Sequence, residues 1–221
     1  HELTSCLTIM PPRTIYDGVY AVPQASILTY RPSTEPTSVR YWDLQRSLQD
    51  KVTDYDEHVE TVRQCFVAAV QGSYHGYESG IALSGGIDSG GIMGVLHHTM
   101  DTQITSISVG GKGPNTPDIV ESAARTIEHF SSPNHRRYPE RTDILTLPTL
   151  MEQYETPLNT NVALAQSLIF RTAGELGLTH LYYGYGTKML LGNLPLMRMA
   201  YWANNVESTV PRALLDPLYQ L

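Results

Sequence analysis

Two glycines, an aspartate and two serines lie together in the hexapeptide SGGIDS, residues 84–89, between an apolar run and a helix-like run. A turn of this kind between a strand and a helix directs several backbone N–H groups at one point, beside the positive end of the helix dipole. Glycine permits the unusual dihedral angles and close backbone approach of such a turn. Ser84 and Ser89 add hydroxyl donors. The residue types of the turn therefore predict a phosphate-binding loop.

The carboxylate of Asp88 in this loop needs a different explanation, because it would repel a phosphate. Carboxylate oxygens are ligands for Mg²⁺, which accompanies nucleotide phosphates, so Asp88 is predicted to bind that ion. The loop is not a Walker A motif, since it lacks the lysine that such a motif requires. The alternative interpretation is a plain tight turn in which Asp88 caps the following helix.

Strand-like and helix-like segments alternate around the loop. Strands are predicted at residues 80–83, 103–111 and 178–184 and within 135–147, and helices are predicted from Thr53, from the loop to residue 98, and at 115–130 and 159–177. This alternation predicts an α/β fold with a parallel, doubly wound sheet. Ligands of such sheets bind at the carboxyl ends of the strands. The loop and a second glycine segment, residues 181–193, both lie at the carboxyl ends of predicted strands.

Capping residues set the expected ends of three helices. Thr53 is predicted to cap the first helix, and Thr116 the helix that follows the second strand, with Pro117 as its first helical residue. Gly177 is predicted to end the long helix before the last strand. Near the N-terminus, residues 17–32 are expected to form one or two short strands, and residues 33–38 a linker-like turn.

Composition limits the possible functions. The 221 residues are 41% hydrophobic, which suits one α/β domain with an appended piece. A net charge of −7 and the lack of basic clusters argue against a nucleic-acid surface. Cys6 and Cys65 form no disulfide framework or metal-ligand spacing, so a reducing cytoplasm is expected. No segment reads as a membrane span or signal peptide. Because the chain begins with His1, a fragment, a processed chain or an expression scar is expected.

The SGGIDS loop resembles the pyrophosphate-binding loop of the ATP pyrophosphatases, which cleave ATP between its α and β phosphates. The resemblance implies ATP and Mg²⁺ as cofactors, and Asp88 as a metal ligand. It also implies that Ser108 and Val109, on the second strand, contact the adenine. Taken together, the implied ATP-binding residues are Leu83, Ser84, Gly85, Gly86, Asp88, Ser89, Ser108, Val109 and Gly184.

Within that family the chain resembles the asparagine synthetases over residues 14–193. Residues 14–44 are similar to the stretch that links a glutaminase-like domain to the synthetase domain. The resemblance therefore implies that residues 1–45 are the edge of such a domain and a linker, and that residues 46–221 are the ATP-pyrophosphatase domain. Glutamine hydrolysis is not expected, because that reaction needs an N-terminal cysteine and Cys6 is not terminal.

Tyr185, between Gly184 and Gly186, indicates which enzymes of this family the chain resembles most. The same GYG sequence is found in β-lactam synthetases and carbapenam synthetases, where the tyrosine works with a glutamate as a catalytic dyad. A phenol alone is a poor base, since its pKa is about 10, and a carboxylate could share its proton. Glu207 is the candidate for that partner, and its alternative is an ordinary surface residue. Tyr185 itself could instead be a core residue.

Two departures from the family pattern leave alternatives open. Lys188 stands where a second metal-binding aspartate is expected, and no lysine follows Ala200, although the family uses one near the C-terminus. A missing segment, a partner chain or a homo-oligomer could supply the lysine, or the chain could bind ATP without turnover.

The sequence predicts ATP-dependent amide formation on a small amino-acid substrate, by β-lactam closure. The alternatives are asparagine synthetase or lasso-peptide-cyclase chemistry, and a degenerate ATP-binding module.

Overall fold

The computed structural model describes residues 9–43, 54–74, 78–100, 103–111, 118–158 and 162–187. The strands are β1 (Ser26–Thr29), β2 (Thr37–Arg40), β3 (Ser79–Ala82), β4 (Thr105–Val109), β5 (Asn134–Arg137) and β6 (His180–Tyr182). The α-helices are α1 (Tyr55–Gly72), α2 (Ile87–Met100), α3 (Ile119–His129), α4 (Leu147–Tyr154) and α5 (Val162–Glu175), and a 3-10 helix spans Arg141–Thr146.

Four of the strands form a parallel sheet in the order β5-β4-β3-β6. In the central strand β3, Ile81 is opposite Ser106 of β4 on one side and Tyr182 of β6 on the other. The chain adds β4 and β5 on one side of β3 and then returns to add β6 on the other. This reversal places the topological switch point, where ligands of open α/β sheets bind, at the carboxyl ends of β3 and β6.

Each face of the parallel sheet carries its own hydrophobic core. Ile81 and Leu83 belong to the first core, with buried residues of α1, α2 and α3. Ala82 points to the opposite face, where it joins buried residues of β4 and α5. Alternate residues of a strand point to opposite faces, so a strand covered on both sides is apolar throughout. The predicted parallel, doubly wound α/β fold is confirmed.

The helix boundaries differ from the predicted ones at two N-caps. The cap of α1 is Asp54, not Thr53, and its side chain accepts a hydrogen bond from Glu57 N at 2.9 Å. Likewise the cap of α3 is Asp118, two residues after the predicted Thr116. Its first helical residue is Ile119, not Pro117. At both starts the cap is an aspartate and not the predicted threonine. A carboxylate is favourable there because its charge interacts with the helix dipole and its oxygens accept from the free N–H groups.

The predicted end of α5 at Gly177 is confirmed. Gly177 has a φ of +68°, which glycine adopts more readily than other residues. The following residue, Leu178, donates a backbone hydrogen bond to Ala173 O at 2.9 Å and so satisfies a carbonyl of the last turn. The chain can therefore turn sharply from α5 into β6.

Of the one or two short strands predicted within residues 17–32, the structure has β1, and β2 follows outside that range. β1 and β2 form an antiparallel hairpin in which Ser26 is opposite Arg40. The turn between them has Ser33 at a φ of +67°. However, β2 already begins at Thr37, so the predicted linker-like turn, residues 33–38, is shorter than expected. Cross-strand pairing of the β-branched Thr37 with Thr29 accounts for the earlier start.

No helix in the described ranges is long and apolar enough to cross a membrane. Cys65 is an exposed free thiol, whereas Cys6 lies outside the described residues.

Candidate functional site

The predicted phosphate loop lies directly after β3 and runs into the first turn of α2, which includes Asp88 and Ser89. The buried hydroxyl of Ser89 holds the loop closed. It accepts from Ser84 N at 3.3 Å, lies 3.2 Å from Ser84 Oγ and donates to Gly86 O at 3.3 Å. Ser84 and Gly86 themselves are exposed. Ser89 therefore shapes the loop from inside, and the outer side of the loop is open to a ligand.

The two glycines of the loop have different constraints. Gly85 has a φ of +74°, and a Cβ on it would lie 2.4 Å from the carbonyl carbon of Ser122 and 2.6 Å from Ala123 N, both in α3. At Gly86 the nearest atom to such a Cβ would be Ser84 Oγ at 3.4 Å, an acceptable contact. Gly85 therefore allows the loop to pack directly on the backbone of α3. Sequence analysis gave both glycines the same role and missed this contact.

The second glycine segment meets the phosphate loop at Gly184. A Cβ on Gly184 would lie 3.1 Å from both Asp88 Cβ and Ser89 N. The loop after β6 thus packs so closely against the first turn of α2 that little space is left for a side chain at position 184. Gly184 and the loop, about a hundred residues apart in the chain, therefore lie side by side at the topological switch point.

A cavity of about 450 Å³ opens beside this junction. Its walls include five of the predicted ATP-binding residues, namely Leu83, Ser84, Ser89, Val109 and Gly184. The remaining wall is largely apolar and includes residues that sequence analysis missed: Ile119, Pro139, Ala165, Ile169 and Tyr183. The spacing of Ala165 and Ile169 by one helical turn was an available signal. Apolar walls with a few polar groups at one end suit a flat heterocycle that carries a polar chain.

Ser108 and Val109, the predicted adenine contacts, point to opposite faces of β4. Val109 lines the cavity. The side chain of Ser108 is fully buried, and its hydroxyl donates to Leu83 O at 2.9 Å. A contact between Ser108 and a base would therefore involve its backbone, and the role of both residues in base binding stays a prediction.

Asp88 is half-buried in the first turn of α2, beside the open face of the loop. One carboxylate at this place fits Mg²⁺, which binds proteins through one or two carboxylates and takes further oxygens from phosphates and water. Among the described residues no group of three or more His, Cys, Asp or Glu side chains forms a metal cluster. Metal binding by Asp88 stays a prediction.

Asp118, the N-cap residue of α3, uses both of its carboxylate oxygens in hydrogen bonds. Its Oδ1 accepts from Val120 N at 2.9 Å, and its Oδ2 accepts from the hydroxyl of Tyr138 at 3.1 Å. Desolvation raises the pKa of Tyr138, and the hydrogen bond to the Asp118 carboxylate raises it further. Both oxygens of Asp118 therefore hold local structure at the edge of the cavity.

Comparison with known families decides the class of the protein. The family model described as asparagine synthase matches residues 61–220, well over half of the chain. The chain belongs to the asparagine synthase family. The match includes β3, the phosphate loop, the cavity walls and the second glycine segment. A comparison with curated proteins gave no match.

Two solved structures have a similar fold. One is an NH3-dependent NAD synthetase from Campylobacter jejuni in complex with nitrate, 20% identical, with 64% of this chain and 61% of that chain covered and a TM-score of 0.38. The other is a glutamine-dependent NAD+ synthetase from Acinetobacter baumannii in complex with ADP, 16% identical, with 72% and 32% covered and a TM-score of 0.45. The chain thus spans less than two thirds of either protein, and neither bears on its site residues.

Tyr185 of this asparagine synthase family member lies next to the cavity, not in its wall. Its side chain is 75% exposed, and its ring centre is 6.2 Å from that of Tyr183, which does line the cavity. The backbone N–H of Tyr185 donates to Tyr183 O at 3.1 Å, and Gly186 follows with a φ of +90°. This tight turn brings the phenol of Tyr185 to the surface beside the site, and its catalytic role stays a prediction.

Several residues considered from the sequence lie outside the described residues. They include Glu207, the predicted partner of Tyr185, and Lys188, which replaces the expected aspartate. The structure therefore brings together the phosphate loop, Gly184 and the cavity, and leaves the predicted dyad as a prediction.

Proposed function

We propose that the chain is an ATP-dependent carbon–nitrogen ligase that activates a carboxylate as its adenylate and releases AMP and pyrophosphate. The observation that supports the proposal most strongly is the junction of the SGGIDS loop with Gly184 at the topological switch point, beside a largely apolar cavity. Membership of the asparagine synthase family supports ATP-dependent amidation in general.

The proposed site divides ATP between two environments. The cavity between β4 and α5 takes the adenine, and the exposed side of the loop at Ser84 and Gly86 takes the β and γ phosphates through backbone N–H groups. Asp88 would hold Mg²⁺, which neutralises phosphate charge when bound. The loop thereby stabilises the negative charge that develops on the leaving pyrophosphate.

The proposed reaction has two steps. A carboxylate oxygen of the substrate attacks the α-phosphorus, the bond from that phosphorus to its bridging oxygen breaks, and pyrophosphate leaves. An amine nitrogen then attacks the acyl carbon, the bond between that carbon and the AMP oxygen breaks, and a base takes the proton from the nitrogen. The amine must be neutral to attack, so the second step requires a base at the nitrogen.

For the second step, the more specific proposal is intramolecular closure of a β-lactam ring in a small amino-acid substrate. It is supported by the GYG sequence and by the position of Tyr185 beside the cavity-lining Tyr183. Tyr185, paired with Glu207, would take the proton from the amine. Asparagine synthetase or lasso-peptide-cyclase chemistry differs in the origin of the amine. Lys188 favours a further candidate, an ATP-binding module without turnover.

Product analysis tests the proposed reaction. With ATP, Mg²⁺ and a panel of β-amino acids, we expect AMP and pyrophosphate in equal amounts. With ¹⁸O in the substrate carboxylate, one labelled oxygen should appear in AMP, because that oxygen attacks the α-phosphorus. Reactions without amino acid are the control. Formation of ADP and phosphate would overturn the proposal, and ATP binding without either product would support the binding module.

Substitution of Tyr185 by phenylalanine tests the proposed ring closure. Loss of a general base lowers turnover by about 10² to 10⁴-fold, so Y185F should lose most ring product while still releasing pyrophosphate. A reaction with an amine that is already neutral should tolerate the change. Tyr30→Phe is the matched control, because Tyr30 is similarly exposed, at 70%, and lies outside the family match. Unchanged ring formation by Y185F would contradict the role of Tyr185.

A further inference from the structure

We infer that Ser108 is a positioning residue for the phosphate loop, which it controls through the peptide bond between Leu83 and Ser84. This inference rests on the proposed function, since it assumes that the loop binds the phosphates of ATP. Ser108 is on β4, whereas the loop follows β3, so the effect passes from one strand to its neighbour.

The peptide unit between Leu83 and Ser84 is held at both of its polar groups. Its carbonyl, Leu83 O, accepts from the hydroxyl of Ser108 at 2.9 Å. Its N–H, on Ser84, donates to Ser89 Oγ at 3.3 Å. A peptide group is planar, so two hydrogen bonds in opposite directions fix the orientation of its plane. This peptide leads into the loop and determines the direction in which the next N–H groups point.

Asn134 on β5 determines where the proton of Ser108 points. Its side-chain Nδ2 donates to Ser108 Oγ at 3.1 Å and to Ser106 Oγ at 2.9 Å. A hydroxyl group has a single proton, and because Ser108 accepts from Asn134, that proton is free to be donated to Leu83 O. Ser106 and Ser108 are both fully buried, so water cannot replace these bonds.

The arrangement affects ATP binding because phosphate recognition depends on N–H groups that are oriented before the ligand arrives. Loss of the Ser108 hydroxyl would free the Leu83 carbonyl to turn, and the N–H groups of the loop would turn with it. Part of the binding free energy would then be spent on ordering the loop.

Ser106→Ala is a matched control for Ser108→Ala. Both serines are on the same face of β4, both are fully buried, and both accept a hydrogen bond from Asn134. Ser106 donates to Pro133 O at 3.1 Å, away from the loop. Ser106 also accepts from the hydroxyl of Ser132 at 3.1 Å, so S106A loses one buried hydrogen bond more than S108A. Only S108A loses the bond to Leu83 O.

Calorimetric titration of the full chain with Mg-ATP tests the inference. We expect S108A to raise the Kd about tenfold and S106A to change it less than about twofold, although S106A should lower the Tm at least as much as S108A. Ser108→Thr keeps the hydroxyl and should restore most of the affinity. If S108A does not fold, Asn134→Ala should raise the Kd about threefold, since it leaves the Ser108 proton less well directed.

The outcomes separate the inference from the proposed function. If the wild-type chain does not bind ATP, the proposed function fails. If it binds ATP and S108A or N134A matches S106A in Kd, the positioning role of Ser108 is overturned. An affinity loss that follows the Tm across all variants would also overturn it.

Discussion

Replacing Gly85 with alanine is expected to lower the free energy of unfolding by about 2 to 5 kcal/mol. A φ of +74° is unfavourable for alanine. The added Cβ would also lie 2.4 Å from the carbonyl carbon of Ser122 and 2.5 Å from its oxygen. These atoms are backbone atoms of α3, so no rotamer change can move them away. Relief requires that either the loop or α3 shift, and both border the first hydrophobic core.

Denaturation by urea, followed by circular dichroism, measures the effect of Gly85→Ala. Two other glycines are controls. Gly86→Ala places its Cβ in an acceptable contact, so we expect a change of less than about 1 kcal/mol. Gly174→Ala, in α5 with no atom within 4 Å of the added Cβ, should stabilise the protein by about 0.5 to 1 kcal/mol. Equal stabilities for G85A and G86A would show that the loop does not pack on α3.

The difference between the two glycines shows what the sequence could and could not predict. The succession of an apolar run, two glycines and a helical pattern was sufficient to predict the turn and its place at the end of β3. The need for glycine at Gly85 arises from Ser122, which approaches from another helix more than thirty residues away in the chain. No local pattern contains that contact.

The alternation of apolar residues and serines along β4 could have been used to predict the direction of the Ser108 side chain. Ile107 and Val109 point to the core with α5, so Ser106 and Ser108 must point to the opposite face. The side chain of Ser108 was therefore predictably directed away from the apolar cavity. Its partner, Leu83 O, was not predictable, because it depends on the register between β3 and β4.

The helix starts illustrate competition between neighbouring residues. Thr53 precedes Asp54, and Thr116 is close to Asp118, so two good capping residues are present at each start. Threonine and aspartate side chains can both accept from a free N–H group. Aspartate in addition places a negative charge at the positive end of the helix. The sequence determined that helices begin there, to within two residues.

Replacing Asp88 with asparagine is expected to lower the rate of pyrophosphate release by about a hundredfold or more. The amide is nearly the same size as the carboxylate, so it fits beside Gly184, which leaves little space at Asp88. It lacks the negative charge that binds Mg²⁺, and the concentration of Mg²⁺ needed for half-maximal rate should rise. The loss of a carboxylate from the first turn of α2 should itself cost no more than about 1 kcal/mol of stability.

A matched control for Asp88→Asn is Asp56→Asn. Asp56 is also an acidic residue in the first turn of a helix, α1, but it is exposed and does not belong to the phosphate loop. Both variants lose the same charge at the same kind of position, so any general effect of helix stability or net charge appears in both. A steady-state assay of pyrophosphate over a range of Mg²⁺ concentrations separates the specific effect. If D88N and D56N release pyrophosphate at the same rate with the same dependence on Mg²⁺, Asp88 is not the metal ligand. The carboxylate would then serve only the first turn of α2.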